Sequence, residues 1–440
     1  MYMKAKSKVS FRCLHSKAFF ASLLIVAVLV SSCFISIFSN GVSLFALGAS
    51  DRIVRNETDL RNAVNTATGA VVIAFDNDIT LTESLVITAN KDITLTSSSN
   101  TNFFKLISDG KNAGTPVIIV KDSGVLKLDG IIVTHAVNGY NGLGIKVFGG
   151  GTLIMFDGEI SNNGYYVGGG VCVNGGGVFE MFGGMISSNN AYYGGGVYND
   201  GNFTMFGGKI SDNTAHVGGG VRSDQGSAFE MFGGEISNNT GVTSGNSHGF
   251  GGGVNIFGGS FVMSGGVIAN NTVTGCGGGV SVIYNSSFVM HNGKISNNTA
   301  NKYRWIGSGC GGGVCFGGGD CSFVMHNGEI ISNKAAEYGG GVSIGDGTFS
   351  LSNGVISNNI AKVGGGVYNE GTFYRHGGVI SGNTADQYNN VYPNSITGYL
   401  IIVVSIVVIT IVIVGGVFFY FKKRTKIVTT KQNQSQQNDM

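Results

Sequence analysis

The sequence predicts an all-β protein folded as a right-handed parallel β-helix, which is a solenoid of stacked coils. Glycine supplies 75 of the 440 residues and proline only 2, a segment of about 25 residues recurs along the chain, and apolar residues alternate with polar ones inside each copy. Alternation with a period of two is typical of strands, and a repeat of this length is typical of solenoids. Apolar segments at both ends add a predicted N-terminal signal peptide or signal anchor and a predicted C-terminal transmembrane helix.

The first 50 residues are interpreted as a targeting segment. Five basic residues precede an apolar stretch over 18–38, and a small-residue segment ending at Ala49 follows it. This order is typical of a cleaved signal peptide, but a stretch of about 20 apolar residues is also long enough to remain as an anchor. The run Val-Ser-Ser-Cys ending at Cys33 resembles a bacterial lipoprotein processing site, which is a third alternative.

Residues 399–421 are predicted to form a transmembrane helix. Leu400 to Phe421 contains no charged residue and would span about 33 Å as a helix, enough to cross a bilayer. Basic residues follow at once, and such a flank marks the inner side of a membrane. We therefore expect a short linker over 387–398, a cytoplasmic tail over 422–440 and an extracellular ectodomain, with the lipid bilayer of the cell membrane as a partner.

The predicted ectodomain is acidic. Between Asp51 and Gly398 there are 17 Lys and Arg residues against 24 Asp and Glu residues, a net charge near −7. Because nucleic-acid binding depends on basic surfaces, this charge argues against a nucleic-acid partner.

Before the glycine-rich repeats, residues 51–150 predict a capping helix and irregular coils. Apolar residues at helical spacing between Thr58 and Ala67 indicate an amphipathic helix that covers the open end of the first coil. Short apolar runs between Val71 and Val133 indicate three or four coils without the glycine signature.

Residues 151–386 are predicted to form glycine-rich coils. Alignment on the pattern Phe-x-Met followed by Ile-Ser-x-Asn gives nine copies, and each copy ends at an asparagine. An asparagine amide at a turn can donate to one neighbouring coil and accept from the other, so we expect a hydrogen-bonded structural ladder. The predicted ladder residues are Asn163, Asn189, Asn213, Asn239, Asn271, Asn298, Asn333, Asn359 and Asn383.

Two insertions, Thr240 to Phe250 and Thr299 to Gly309, enter the repeat at the same point, just before the string GGGV. They must emerge on one edge of the solenoid, which also carries several aromatic residues. Aromatic faces stack on sugar rings, so this edge is the predicted ligand-binding strip; alternatively its side chains only cover turns or fill irregular packing. The predicted binding residues are Tyr165, Tyr166, Tyr192, Tyr193, His216, Tyr303, Arg304, Trp305 and Tyr338.

The alternation of inward and outward residues also predicts two stripes of outward-facing side chains along the solenoid, one of phenylalanines and one of histidines. Phenylalanines face outward on four successive coils, where they form either a partner surface or a stack that only stabilises the rod. Later coils place His291 beside His326, but no third ligand is evident, so no metal and no cofactor is predicted. The outward phenylalanines are Phe156, Phe182, Phe206 and Phe232.

The cysteines allow disulfides. Cys276 and Cys310 occupy the same register in adjacent coils, and one coil rise fits the Cα separation of a disulfide in an oxidising compartment. Cys315 and Cys321 flank a turn that a second bond could bridge. Unpaired thiols remain the alternative for both pairs.

Six Asn-x-Ser/Thr sequons between Asp51 and Gly398 would allow glycosylation of an exported chain. Some of them repeat an Asn-Asn-Thr turn, so they are equally well explained as by-products of turn chemistry. The candidate sites are Asn56, Asn202, Asn238, Asn270, Asn285 and Asn297.

The repeat unit GGGVYNDGNFTMFGGKISDNTA, from Gly194 to Ala215, resembles the repeats of right-handed β-helix adhesin-like surface proteins. It is more distantly similar to the repeats of polymorphic outer-membrane proteins. The resemblance covers Ile53 to Asn383 and implies the β-helix fold, which hosts adhesins, lyases and hydrolases alike. The chain has GGGV where the outer-membrane family favours GGAI, and a predicted helix where autotransporters carry a barrel.

The favoured function is therefore that of an adhesin-like protein that binds glycans or surface partners. A polysaccharide lyase or hydrolase is the alternative, and a passive structural envelope protein is a second one. Catalysis needs convergent carboxylates, but Glu180 and Glu230 are separated by the coil of Thr204. Charged neighbours such as Lys209 with Glu235 and Lys294 with Glu329 predict surface ion pairs, so no catalytic residue is assigned.

Overall fold

The computed structural model describes residues 51–99, 101–111, 114–136, 142–245, 247–303 and 309–392. Over these ranges the chain is a parallel β-solenoid of the right-handed type with about 12 turns, which confirms the predicted all-β class. The predicted signal segment 1–50, transmembrane helix 399–421 and tail 422–440 lie outside the described residues. Within the described ranges, no helix has the length and apolar composition needed to cross a membrane.

From Gly164 onward each coil contributes strands to three parallel sheets, whereas the earlier coils contribute to only two of them. The long sheet contains the Phe-x-Met and Ile-Ser strands, the edge sheet follows the ladder asparagine, and the valine sheet begins at the valine of GGGV. The strands of the long sheet are Arg52–Val54, Gly69–Phe75, Ile79–Leu81, Lys91–Ser97, Lys105–Ser108, Val125–His135, Thr152–Ser161, Val178–Met181, Met185–Ser187, Asn202–Met205, Lys209–Ser211, Ala228–Met231, Glu235–Ser237, Ser260–Met263, Val267–Ala269, Ser287–Met290, Lys294–Ser296, Ser322–Met325, Glu329–Ile331, Thr348–Leu351, Val355–Ser357, Thr372–Arg375 and Val379–Ser381.

The other two sheets have shorter strands. The edge sheet consists of Gly164–Val167, Asn190–Tyr193, Thr214–Val217, Thr240–Gly241, Gly249–Phe250, Thr272–Cys276, Thr299–Asn301, Lys334–Ala335, Ile360–Val363 and Thr384–Gln387. The valine sheet consists of Leu85–Ile87, Ile118–Val120, Ile145–Val147, Val171–Val173, Val197–Asn199, Val221–Ser223, Val254–Phe257, Val280–Ile283, Val314–Gly317, Val342–Ile344, Val367–Asn369 and Val391–Tyr392.

A helix over Glu57–Asn65 lies at the start of the solenoid, inside the region where the sequence predicts the cap. Asn56 is its N-cap, since the side chain accepts a hydrogen bond from the backbone N–H of Asp59. Leu60 and Val64 are buried, and the Glu57 carboxylate accepts hydrogen bonds from the backbone and hydroxyl of Thr82 in the first coil. The helix therefore covers apolar surface at the open end of the core.

The nine ladder asparagines lie in one buried column. In each coil Nδ2 donates to Oδ1 of the asparagine one coil on, as between Asn239 and Asn271 at 3.0 Å. The same Oδ1 also accepts from the backbone N–H of the preceding ladder residue, at 2.9 Å for this pair. At the N-terminal end the His135 ring caps the column, with Nδ1 2.8 Å from Oδ1 of Asn163. Every amide in the column is thus held from both sides.

The core is a stack of identical layers. Phenylalanine rings from Phe179 to Phe373 follow one another at 4.6–5.0 Å between centroids and are nearly parallel. Methionines form a second column, and each methyl group packs on a glycine of the next coil: a Cβ on Gly234, which has a φ of +83°, would lie 2.6 Å from Cε of Met205. These glycines are therefore required both by backbone conformation and by space.

The solenoid extends beyond residue 386, where the sequence analysis ends the repeats and begins a linker over 387–398. Val391–Tyr392 pairs with the start of Val367–Asn369 and completes a further coil. Asn389 and Asn390 replace two glycines of GGGV in this coil, and Tyr388 takes up the left-handed conformation with a φ of 59°. Since the alignment relied on the glycines, it missed this coil.

Candidate ligand-binding edge

The edge sheet and the valine sheet meet at a corner of the solenoid, where outward side chains of the two sheets contact each other. The residue after each GGGV valine points away from the core by alternation, yet Arg222 and Asn255 at this position are buried. They are covered by side chains at the ends of the edge strands: the Tyr193 ring lies 4.6 Å from the guanidinium of Arg222 one coil on. The sequence analysis identified the edge but not this corner.

Four of the predicted binding residues form a contiguous group, here called the aromatic cluster: Tyr166, Tyr192, Tyr193 and His216. Tyr192 is its centre, with ring centroids 5.1 Å from Tyr166, 4.6 Å from Tyr193 and 4.7 Å from His216. Tyr166 is 55% exposed, whereas His216 is buried. The cluster therefore presents a solvent-facing aromatic surface on a fixed base.

Hydrogen bonds fix the base of the cluster. Burial lowers the pKa of His216, and its Nδ1 lies 2.8 Å from the carbonyl oxygen of Val242 in the first insertion. The imidazole is therefore neutral near pH 7 and donates from Nδ1 to that carbonyl. Burial, followed by the neighbouring Tyr166 and Tyr192, raises the pKa of Tyr193, whose hydroxyl also bonds to Tyr166. The cluster carries no charge at neutral pH.

Arg222 supports the cluster from below. Its guanidinium lies between the rings of Tyr193 and Phe257, at 4.6 and 4.9 Å. It donates to the Asn255 side chain and to the Asp224 carboxylate, both at 3.2 Å. The Tyr198 hydroxyl donates to the same carboxylate at 2.6 Å. Because Asp224 balances its charge, Arg222 acts as a rigid support and leaves no uncompensated cation.

The remaining predicted binding residues are dispersed. Tyr165 lies against the turn at Gly114, where an added Cβ would approach its ring to 2.7 Å. The Tyr303 hydroxyl donates to the carbonyl oxygen of Gly245 at 3.0 Å, so the two insertions contact each other. Arg304 and Trp305 lie outside the described residues.

Tyr338 belongs to a second aromatic group that the sequence analysis missed. Its ring lies 4.6 Å from that of Tyr368 in a tilted arrangement, Tyr368 stacks on Tyr392 at 5.1 Å, and Tyr388 meets Tyr392 edge-on at 4.7 Å. Tyr368 and Tyr392 follow GGGV-type valines, so the alternation already places them outward. The outward position of these tyrosines was therefore predictable from the sequence. Nothing in the sequence indicated that their rings would meet a side chain of the edge, such as Tyr338.

The outward phenylalanines form a continuous stack, with centroids 4.6 Å apart between Phe182 and Phe206 and 5.3 Å apart between Phe206 and Phe232. Phe156 stacks on Phe182 at 5.4 Å. Farther along, the rings of His291 and His326 stack at 5.0 Å. Each ring in these stripes thus packs mainly on its neighbour along the rod.

Within the described ranges, no set of three or more His, Cys, Asp or Glu side chains is arranged to hold a metal ion. The predicted ion pairs are present, at 3.4 Å for Lys209 with Glu235 and 3.2 Å for Lys294 with Glu329. Glu180 and Glu230 each pair with Thr204, which separates them as expected. These acids are spread along a strand face.

All six sequon asparagines are exposed. Asn238, Asn270 and Asn297 have φ values of 55–58° at the turn before the ladder asparagine. Asparagine tolerates this left-handed conformation better than most residues, and Asp212 and Ser332 occupy it in other coils. Turn geometry therefore accounts for these three sequons, and glycosylation stays a prediction.

Cys276 and Cys310 form a parallel bridge between adjacent coils, the register that the sequence predicts for a disulfide. Their thiols are in hydrogen-bond contact, and the disulfide stays a prediction. Cys172 lies apart from them and is buried, and burial raises its pKa to about 12.

No protein-family model matches the chain, and neither a curated protein nor a solved structure matches it.

Proposed function

We propose that this chain is a membrane-anchored cell-surface protein whose solenoid binds glycans through the aromatic cluster without cutting them. The observation that carries the proposal is the arrangement of Tyr166, Tyr192 and Tyr193 as a partly exposed aromatic surface. Sugar rings present C–H faces that pack on such surfaces, while their hydroxyl groups stay in water or bond to phenolic groups. Pre-organisation by Arg222 lowers the ordering cost of binding.

The charge of the site narrows the ligand class. The aromatic cluster is neutral, Arg222 is paired with Asp224, and the chain between Asp51 and Gly398 carries a net charge near −7. An acidic protein repels polyanions, so we expect neutral glycans to bind better than uronate-rich or sulfated ones. Asp129 and Asp157 are partners in adjacent coils of the long sheet, but neither belongs to the aromatic cluster, so binding at the cluster is proposed without an acid pair to cut the ligand.

Membrane anchoring rests on the uncharged run from Leu400 to Phe421 and the basic residues after it. Attachment is tested by alkaline carbonate extraction of cells that express the full-length chain and a variant ending at Tyr392. The full-length chain should stay with the membrane fraction and the truncated one should be released. Release of both would contradict the anchor.

Binding is tested with the purified full-length chain on a glycan array, combined with a depolymerase assay on the same preparation. We expect saturable retention of neutral glycans, no new reducing or unsaturated ends, and loss of retention in Tyr192→Ala. New chain ends from an acidic polysaccharide would favour the lyase or hydrolase. No saturable ligand at all would favour the passive rod.

A further inference from the structure

Three cysteines and one histidine converge at a single coil of the edge. The thiols of Cys310 and Cys315 and the imidazole of His248 are all in hydrogen-bond contact with Cys276. Cys276 ends the edge strand Thr272–Cys276 and pairs with Cys310 of the adjacent coil in an isolated parallel bridge, and Cys315 is the outward residue after Val314 in the valine sheet. The group Cys276, Cys310 and Cys315 is called the thiol cluster.

The cluster lies where the repeat is interrupted. His248 belongs to the first insertion and Cys310 directly follows the second, and the hydrogen bond from Tyr303 to Gly245 joins the two insertions. A regular coil would bring neither His248 nor three thiols to this point. Departure from regularity at one place in an otherwise repetitive scaffold is typical of a functional site.

The contacts radiate from Cys276. Hydrogen bonds from Cys310, Cys315 and His248 hold the pKa of the Cys276 thiol well below its usual range. The bond to Cys276 in turn raises the pKa of His248, and it raises those of Cys310 and Cys315. Cys276, which all three neighbours contact, is thus the thiol most readily deprotonated, with His248 as the basic group beside it.

An arrangement in which three groups contact one central thiol suits disulfide exchange better than metal binding. A tetrahedral zinc site needs all four ligands at similar distances from one centre, whereas the described residues contain no such group. In disulfide exchange, by contrast, one activated thiolate attacks and a neighbouring thiol resolves the intermediate.

We propose that the thiol cluster is a thiol–disulfide exchange centre in which Cys276 attacks a small disulfide and Cys310 or Cys315 resolves it. The Cys276 thiolate attacks one sulfur of R–S–S–R, forms Cys276–S–S–R and releases R–S⁻, which takes the proton of His248. Cys310 then loses its proton through solvent to the second R–S⁻ as it displaces that group. Two protein thiols become one disulfide, and the external disulfide is reduced to two thiols.

This centre is independent of glycan binding and extends the predicted Cys276–Cys310 disulfide. A structural disulfide would form once, whereas a third thiol in contact with Cys276 lets the bond exchange between Cys310 and Cys315. Cys276 and Cys310 are 6% and 8% exposed, so the reagent must be small.

The test uses the reduced full-length chain in mild detergent with the small disulfide bis(2-hydroxyethyl) disulfide, quenched at intervals and mapped by mass spectrometry. We expect the first hydroxyethylthio adduct on Cys276, formed about tenfold faster than on Cys172, followed by bonds to Cys310 and Cys315. Cys310→Ser should retain the Cys276–Cys315 bond, and His248→Gln should slow the first step. Cys172→Ser is the matched control and should react like the wild type.

A first adduct on Cys172, Cys310 or Cys315 would overturn the proposal, as would an unchanged first step in His248→Gln. Stoichiometric zinc binding that protects all three thiols would replace it with a metal site. Because adduct order is read in the wild-type chain, the proposal remains testable even if Cys276→Ser does not fold.

Discussion

The long sheet and the edge sheet are built from the same coils but differ in regularity. The long sheet keeps one register from Thr152 to Ser381 apart from local bulges, and its Phe, Met and Ile columns are buried throughout. The edge sheet is interrupted twice by insertions and changes its outward residue from coil to coil. Stability is therefore concentrated in the repeated columns, whereas both proposed sites lie where the repetition lapses.

The largest effect is expected from emptying one layer of the core. Phe261→Ala removes a fully buried ring that stacks on Phe229 and Phe288 at 4.7 Å, and should lower the free energy of unfolding by about 4 kcal/mol. The matched control is Phe206→Ala in the outward stack, which should cost less than about 1.5 kcal/mol because that ring is 42% exposed. Equal losses in urea denaturation would show that the outward stack is also a structural core.

A smaller but still large loss is expected from breaking the asparagine column. Asn271→Ala leaves the backbone N–H of Asn239 and one of the two side-chain N–H groups of Asn239 without an acceptor, and buried unsatisfied groups cost about 1–3 kcal/mol each. The exposed Asn292→Ala is the control. If both variants unfold at the same urea concentration as the wild type, the column does not stabilise the solenoid.

A substitution in the aromatic cluster of the edge should weaken ligand binding and leave the stability of the chain nearly unchanged. Tyr192→Ala removes the centre of the aromatic cluster and should weaken glycan binding about tenfold, with little change in unfolding because the ring is only partly buried. Tyr374→Ala, which removes a 50% exposed ring from the long sheet, should leave binding unchanged. Titration calorimetry with a retained glycan measures both, and equal weakening would remove the edge from the binding surface.

The smallest effect on stability is expected from removing the ion pairs of Glu337 at the base of the second insertion. Glu337 pairs with Lys302 at 2.6 Å and with Lys362 at 3.4 Å, and its hydrogen bond to Lys302 is the main cause of its lowered pKa. A carboxylate whose pKa is lowered by folding stabilises the folded chain at pH values above its unfolded pKa of 4.5. That contribution is lost as the pH falls through the pKa of the folded state.

Glu337→Gln should therefore destabilise the chain by less than about 1 kcal/mol at pH 7 and not at pH 3, and high salt should reduce the difference. Glu230→Gln, at an exposed position of the long sheet, is the control. A loss that persists at pH 3 would mean that Glu337 acts through packing and not through charge.

Periodicity made most of the fold predictable. The asparagine and phenylalanine columns recur at one position of the repeat, so alignment alone places Asn239 over Asn271. It could not identify the last coil, in which Asn389 and Asn390 replace glycines, nor His135 as the cap of the asparagine column. Both depend on hydrogen bonds that other residue types can supply.

The candidate site was predictable only in part. The sequence places Tyr166, Tyr192 and His216 on one edge. It does not show that the side chains at the ends of the edge strands contact the residues that follow each GGGV valine. Contacts such as Tyr193 with Arg222 or Cys276 with Cys315 join one coil to the next across a bend. The angle of that bend is set by backbone geometry and has no counterpart in the repeat pattern.

The most direct test of the binding edge is hydroxyl-radical footprinting of the full-length chain with and without a glycan retained on the array. Bound glycan should protect Tyr166 and Tyr192 from labelling. Tyr374, whose solvent exposure is similar to that of Tyr166, should react as much as it does without glycan. Protection of Tyr374 or of the outward phenylalanines, with Tyr166 still fully labelled, would contradict the assignment of recognition to the edge sheet.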